Sequence, residues 1–500
     1  MGGAARGEEG PTTLSVQPSS RCAGAASGGR RRKRCRRCRT LEKQIEALRG
    51  ENSRLKAHNR RLERQLERTV RAGKRQAAPF SKGEPTSNPR RPGRRPGREY
   101  GVRSRRKIPE HVDETIEVPL PERCPACGEA VEAGELTEQY QTEIPPVRPH
   151  VTSFRIQLGR CTGCGKAVRG RHPRQTSEAV GAAASQLGPR AVALAAHLNK
   201  GLGLSFEKCS DLYETAFGIE VSRSGLCQAL HRLAGAAEPT YDALIEALKE
   251  APAVSPDETG WKVGGELVWL WAFATPQLSV YAIQDGRGFE QAASVLGVDF
   301  GGTLIRDGWA PYRRFEEASH QSCLAHLLRR CHEMIGSGLA GAARFPHAVR
   351  RLLEKGLDLR DRYLSDEIST HGLAVARGRL EAEMGRLLQC NVTYPPNLRF
   401  LRHLTREQPH LFTFLRDPRA VEATNWWSEQ AIRPVVVTRK VCGGNRTWLG
   451  ALTQEVLASV HATSRKQGVN PVDVFSDIYA SAEPVVLRFE GLHTSELRPP

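Results

Sequence analysis

No apolar stretch in this 500-residue chain is long enough to cross a bilayer as a helix, which sets aside an integral helical membrane protein. The first ten residues, MGGAARGEEG, lack the apolar centre of a secretion signal. Both absences point to a soluble intracellular protein, expected in the cytoplasm and, given its charge, on the nucleoid. In that compartment most of the 13 cysteines stay reduced, so paired CxxC motifs read as metal ligands before disulfides. Most of the chain also lacks excess positive charge. The whole sequence carries a formal +19, yet the span from Arg30 to Lys107 alone holds 29 Lys/Arg against 7 Asp/Glu. The remainder is therefore slightly acidic. So concentrated a basic arm binds a polyanion by counterion release, whether DNA, RNA or an anionic membrane.

The arm has internal order. Residues 1–34 are rich in Gly, Ser, Ala and Arg and read as a disordered basic segment. Within 35–75, Leu41, Ile45, Leu48, Asn52, Leu55, Asn59, Leu62 and Leu66 recur at steps of four and three, the a/d seam of a coiled coil. Asn52 and Asn59 fall on a positions, which favours an in-register homodimer; a lone amphipathic helix packed on its own protein is the alternative. Residues 76–115 form a basic Pro/Gly/Arg linker. Its Arg90, Arg91, Arg94, Arg95 and Arg98 suit the narrow minor groove of DNA, or a solvated tether. Next, 116–172 carries Cys124-Pro-Ala-Cys127 and Cys161-Thr-Gly-Cys164, two turns offering four thiolates to a structural Zn²⁺ in a small ribbon. A third pair, Cys35 and Cys38, has no matching partner nearby.

Residues 173–245 read as helical. A break at FGIEVS separates two apolar helices, the second capped by Ser222, and the spacing resembles a helix-turn-helix with Arg223 and Gln228 facing DNA. Many purely structural helix pairs share that spacing. From about 246 to 330 the pattern turns to strands. VSPDE is read as a short strand ending at Asp257, ELVWLWAFATP and SVYAIQDG as further strands, and LIRD as a strand ending at Asp307. Residues 331–420 read as helical, followed by a helix at 421–447 bearing Glu429 and a helical region with a tail at 448–500.

Asp257, Asp307 and Glu429 are the candidate catalytic residues. Carboxylates at the ends of neighbouring strands, joined by a third on a helix, suit two hard divalent cations such as Mg²⁺ or Mn²⁺. Two such ions serve the cutting and joining of phosphodiesters. Asn425 and Arg433 lie four residues either side of Glu429, where one can orient a ligand and the other hold a phosphate. Arg439 and Lys440 follow as candidate DNA contacts, with a solvated basic patch as the alternative. His320, Cys323 and His326 stand at steps of three, which would share a helical face; His326 reads as a polar neighbour of the site and Cys323 as core.

These residues in their contexts resemble the insertion-sequence 66 family of DDE transposases. The likeness runs through the zipper, KRQAAPFSKG and RRPGRRPGR, the CxxC pairs, DETGW, WLWAFATP, RDGWAPY, CLAHLLRR, AIRPVVVTRK and GGNRTWLGA. It implies an α/β, ribonuclease-H-like catalytic core with a helical insertion before the third acid. It also implies binding to element ends, strand cleavage and strand transfer into target DNA, and accessory proteins of the same element. The family pattern NNxAER around the glutamate appears here as Asn425-Trp426-Trp427-Ser428-Glu429-Gln430. A DNA-binding regulator or domesticated relic without catalysis is the alternative function, and a nuclease acting on RNA a third.

Overall fold

A computed structural model describes residues 40, 41, 43–52, 55, 106–183, 185–337 and 341–481. Arg90, Arg91, Arg94, Arg95 and Arg98, the seam residues Asn59, Leu62 and Leu66, and Cys35 and Cys38 lie outside them. The chain divides into two units after Gln141.

In the first unit the described residues between 40 and 55 are helical (α1). Seam residues Leu41, Ile45, Leu48 and Leu55 are all exposed on it. Further on, a bridge between Arg123 and Ala130 closes the Cys124 turn.

In the second unit, strands β1 (Leu158–Arg160) and β2 (Ala167–Arg169) form an antiparallel pair around the Cys161 turn. In the stretch between the two CxxC turns, residues 131–157 take no regular secondary structure and only Leu158–Arg160 forms a strand. Four helices follow: α2 (Pro189–Ala196), α3 (Phe206–Phe217), α4 (Arg223–Lys249) and, between strands, α5 (Phe289–Leu296). The break at 218–222 forms where expected. Gly218 takes the left-handed conformation that ends α3, and the Ser222 hydroxyl accepts the Gly225 N–H to start α4. Leu226, Leu230, Leu233, Ala237, Tyr241, Leu244 and Leu248 then recur at helical spacing and are buried.

A five-stranded mixed sheet lies at the centre: β3 (Ala253–Val263), β4 (Glu266–Ala274), β5 (Ser279–Gln284), β6 (Thr303–Arg306) and β7 (Ser319–Ser322). The order is β5-β4-β3-β6-β7. The first three strands form an antiparallel meander, while β6 runs parallel to β3 and β7 parallel to β6. Side-chain alternation divides two cores. Val254, Trp271, Phe273, Val280, Ala282 and Leu304 pack with α2, α4, α5 and two C-terminal helices, α11 (Trp448–Lys466) and α12 (Pro471–Ala480). Ala253, Trp261, Leu270, Ala272, Tyr281, Ile283 and Ile305 face the opposite way. They meet α6 (Leu324–Ser337), α7 (Arg344–Leu364), α8 (Thr370–Leu388), α9 (Pro395–Glu407) and α10 (Trp426–Cys442). The helix pair read as helix-turn-helix-like thus shares a core with the back of the sheet, and Tyr241 donates to the Tyr281 carbonyl at 2.7 Å.

The outer edge of β5 is covered rather than left as a template for another strand. Side chains at every fourth residue of α11 accept its backbone N–H groups: Glu455 from Ile283, Ser459 from Tyr281 and Thr463 from Ser279.

Candidate active site

Asp257 lies within a strand, not at its end. The sequence suggested that VSPDE stops there, but β3 continues to Val263 because DETGWKV pairs residue for residue with β4, from Asp257 opposite Ala272 to Val263 opposite Glu266. Only the near side of β3 is short: its ladder to β6 is confined to Ala253 opposite Thr303 and Val254 opposite Leu304. Counted forward from that register, position 257 falls level with position 307, the residue just past the end of β6. Asp307 follows the last residue of β6 and accepts the Trp309 N–H at 2.8 Å, which fixes the turn.

Glu429 arrives from far along the chain. It sits in the first turn of α10, where a negative charge meets the positive end of the helix dipole. A buried contact sets the position of that turn: Ser428 Oγ lies 2.8 Å from Ser255 Oγ, two residues before Asp257 on the same face of β3. Asn425 is buried beneath the turn; its N–H points at Cys323 Sγ and its Oδ1 has no partner among the described residues. Trp427 is buried and Trp426 exposed, while His326 Nε2 stands 3.8 Å from Glu429 Oε1.

The electrostatics follow from this convergence. Burial, then the charge of Glu258, pushes the Asp257 carboxyl up to about 7, and Asp307 and Glu429 push in the same direction. The Glu258 N–H donated to Asp257 opposes the shift without cancelling it. Asp257 senses the other two acids, yet among the described residues no group of three His, Cys, Asp or Glu side chains is arranged to hold a metal ion.

The remaining candidates are placed variously. Arg433 and Lys440 are exposed on α10. The Arg439 Nη1 is committed to β3, donating to Thr259 Oγ1 at 3.0 Å and to the Gly260 carbonyl. Arg223 and Gln228 are exposed on α4, with Arg223 3.6 Å from Glu207. Each CxxC forms a tight knuckle. Cys124 N–H donates to Glu129 O and Gly128 N–H to Cys124 O; Cys161 N–H donates to Lys166 O and Gly165 N–H to Cys161 O. Gly128 and Gly165 take positive φ to make the turn. Backbone N–H groups of Ala126 and Cys127 lower the Cys124 thiol, and those of Cys164 and Gly163 lower Cys161. His320 is on β7, so the shared helical face suggested for His320, Cys323 and His326 does not form; Cys323 is buried.

Five residues missed in the sequence support the acids: Glu258, Arg287, Tyr312, Arg306 and Glu407. Glu258, facing away from Asp257, binds Arg287 Nε at 2.6 Å and the Tyr312 hydroxyl at 2.5 Å. Arg287 lies 3.9 Å over the Trp309 ring, so this anchor reaches the turn after Asp307. The second acid of PDET, pointing opposite the first on a strand, was the available signal. Arg306 and Glu407 form a buried pair at 2.8 Å, and with about a hundred residues between them no local pattern reveals it.

Comparison with known proteins follows the same outline. A family model, Transposase IS66 family, matches residues 184–453, from the back helices through the sheet to α11. An uncharacterized protein, y4qI of Sinorhizobium fredii (strain NBRC 101917 / NGR234), is 28% identical over 299 residues, 52% of this chain and 53% of its own length. The chain thus spans about half the length of that relative. The family match extends over more than half of the chain, which belongs to the IS66 transposase family.

Proposed function

We propose that the chain is a transposase that binds the ends of a mobile element and carries out metal-dependent DNA strand cleavage and strand transfer with Asp257, Asp307 and Glu429. The observation that supports this reading is that Asp307, just past β6, and Glu429, in the first turn of α10, both act on Asp257 of β3, whose carboxyl is pushed up to about 7 by burial and neighbouring acids. Crowding acids at a half-buried site costs stability, and a cation relieves that cost. The donor set is all oxygen, which fits a hard ion that keeps waters and substrate phosphates as its other ligands. The strand order supports a ribonuclease-H-like core, with α7–α9 as the insertion.

In this reading Asp257, Asp307 and Glu429 would together hold the divalent ions. When bound, Mg²⁺ or Mn²⁺ lowers the pKa of an attacking water and takes up charge on the phosphate oxygens. The side chains hold position: Ser428 keeps Glu429 against β3, and Trp309 N–H keeps the Asp307 carboxylate turned. Water would attack the phosphorus at the element end, breaking its bond to the 3′-oxygen and leaving a 3′-hydroxyl and a 5′-phosphate. That 3′-hydroxyl would then attack a target phosphorus and expel the target strand's 3′-oxygen as a hydroxyl, with no covalent protein intermediate. Arg433 and Lys440 offer exposed charge for phosphates beside the acids. Cys124, Cys127, Cys161 and Cys164 would supply four thiolates to a structural Zn²⁺, with Cys124 and Cys161 lowered by backbone N–H groups. The exposed α1 seam suits a homodimer, and the basic arm a grip on DNA.

The test is cleavage of DNA carrying the element ends, with Mg²⁺ or Mn²⁺, by Asp257→Asn. Loss of cleavage with retained DNA binding is expected; cleavage equal to the unaltered protein refutes the assignment.

A further inference from the structure

The residue before Asp307 makes the most buried ion pair among the described residues. Arg306 is 0% and Glu407 1% exposed, and Glu407 closes α9 at the end of the long helical segment. Its two oxygens are divided. Oε2 takes Arg306 Nη1 at 2.8 Å and the Ser322 hydroxyl at 2.7 Å; Oε1 takes Arg313 Nη2 at 3.0 Å. Each arginine then reaches back to the backbone at the site. Arg306 Nη1 donates to the Asp307 carbonyl at 3.1 Å, and Arg313 Nη2 to the Gly308 carbonyl at 3.2 Å. His320 completes the surround: its Nδ1 accepts from Arg306 Nε at 3.2 Å, while Nε2 lies 3.1 Å from the Phe315 carbonyl and is the donor there.

A buried pair of this kind is a poor device for stability alone. Removing two charges from water costs more than an apolar pair of equal volume, and Arg306 Nη2 has no partner among the described residues. What the pair does supply is geometry, because both successive carbonyls at the turn bearing Asp307 hang from arginines held by one carboxylate. We propose that Glu407 is a positioning residue for Asp307, through which the helical segment α7–α9 sets the cation affinity of the site. The proposal rests on Asp307 being a metal ligand. Burial would raise the Glu407 carboxyl, but Arg306, the Ser322 hydroxyl and Arg313 outweigh it and hold it at about 2, so the clamp stays charged at any working pH.

The test is Mn²⁺ binding to the full chain, read by electron paramagnetic resonance without DNA, together with thermal unfolding. Glu407→Gln keeps the shape and removes the charge, and is expected to weaken Mn²⁺ binding about tenfold, the lower end for losing a group that orients a metal ligand. Because that variant leaves Arg306 buried and unpaired, a second variant, Arg306→Met with Glu407→Leu, replaces both charges by apolar groups and is expected to unfold near the original temperature. Its Mn²⁺ affinity is expected to stay low. Recovery of both stability and affinity in the double variant would make the pair purely structural and overturn the proposal. Asp307→Asn separates the premise: if it binds Mn²⁺ as before, the reading of Asp307 fails and the proposal with it. If it loses Mn²⁺ while both clamp variants keep it, only the proposal fails.

Discussion

Glu258 offers a sharp check on how the candidate site is supported, because its side chain is 2% exposed and holds two partners at once. Replacing it by alanine leaves Tyr312, itself buried, without an acceptor, and strands Arg287 against the Trp309 and Trp269 rings. Breaking a buried ion pair from one side costs about 3–5 kcal/mol, and hydrogen bonds to charged groups about 1.5–3 kcal/mol each. Arg287 is 32% exposed, so water can recover part of its loss, and the lower end applies: about 3 kcal/mol for Glu258→Ala. Tyr312→Phe removes only the hydroxyl and should cost about 1.5 kcal/mol, with most of that loss absent when Glu258 is already alanine. The assay is urea unfolding followed by tryptophan fluorescence on the two single variants and the double. A cost for Glu258→Ala below about 1 kcal/mol, or additive losses in the double variant, would refute the argument that Glu258 anchors the turn after Asp307.

Two further predictions concern the frame around the sheet. Burial lifts the Glu455 carboxyl from its ordinary 4.5 up to about 7, so between those values the folded chain keeps a proton that the unfolded chain has lost. Its contribution is full below pH 4.5 and falls by about 3 kcal/mol as pH rises through 7; Glu455→Gln should flatten that part of a stability–pH curve, and an unchanged slope counts against it. Gly444 stands at φ +120°, and a Cβ there would lie 2.4 Å from the Lys262 carbonyl, so Gly444→Ala should lower stability by about 2 kcal/mol in thermal unfolding, against no loss if the loop is free to shift.

How much of this was written in the sequence depends on the range of each interaction. The helix break at FGIEVS, the Ser222 cap, the strands of the meander, the end of β6 just before Asp307 and the helix under Glu429 all rest on local signals: periodicity, a capping hydroxyl, glycine at a turn. β7 was not separated from α6, because SHQS is four residues long, polar, and strand-like only through its parallel partner β6. The extent of β3 was misjudged for a related reason: Pro256, Asp257 and Glu258 look like the end of a strand until β4 pairs with them. The common core of α4 with the sheet is a contact between amphipathic faces, and a face does not name its partner.

The three acids have a shared construction that no single motif reveals. Each has an immediate neighbour in sequence whose side chain leaves in another direction and is fixed in the interior: Glu258 beside Asp257, Arg306 beside Asp307, Ser428 beside Glu429. Adjacent residues on a strand point to opposite faces, and adjacent residues on a helix diverge by about 100°, so a neighbour can be anchored in the core while the acid itself stays partly exposed. Burial, then the charge of Glu258, pushes Asp257 up to about 7, and Asp307 and Glu429 add to the shift, so like charges here repel one another. Mutual repulsion is resisted by backbone held one residue away, through an ion pair for the first two acids and a pair of hydroxyls for the third. Ser428 is therefore the weakest of the three anchors, since a neutral hydrogen bond contributes about 1 kcal/mol where a charged one contributes twice that. It also sits within the segment that departs from the family pattern around the glutamate, so Glu429 is the acid whose placement depends most on residues particular to this chain.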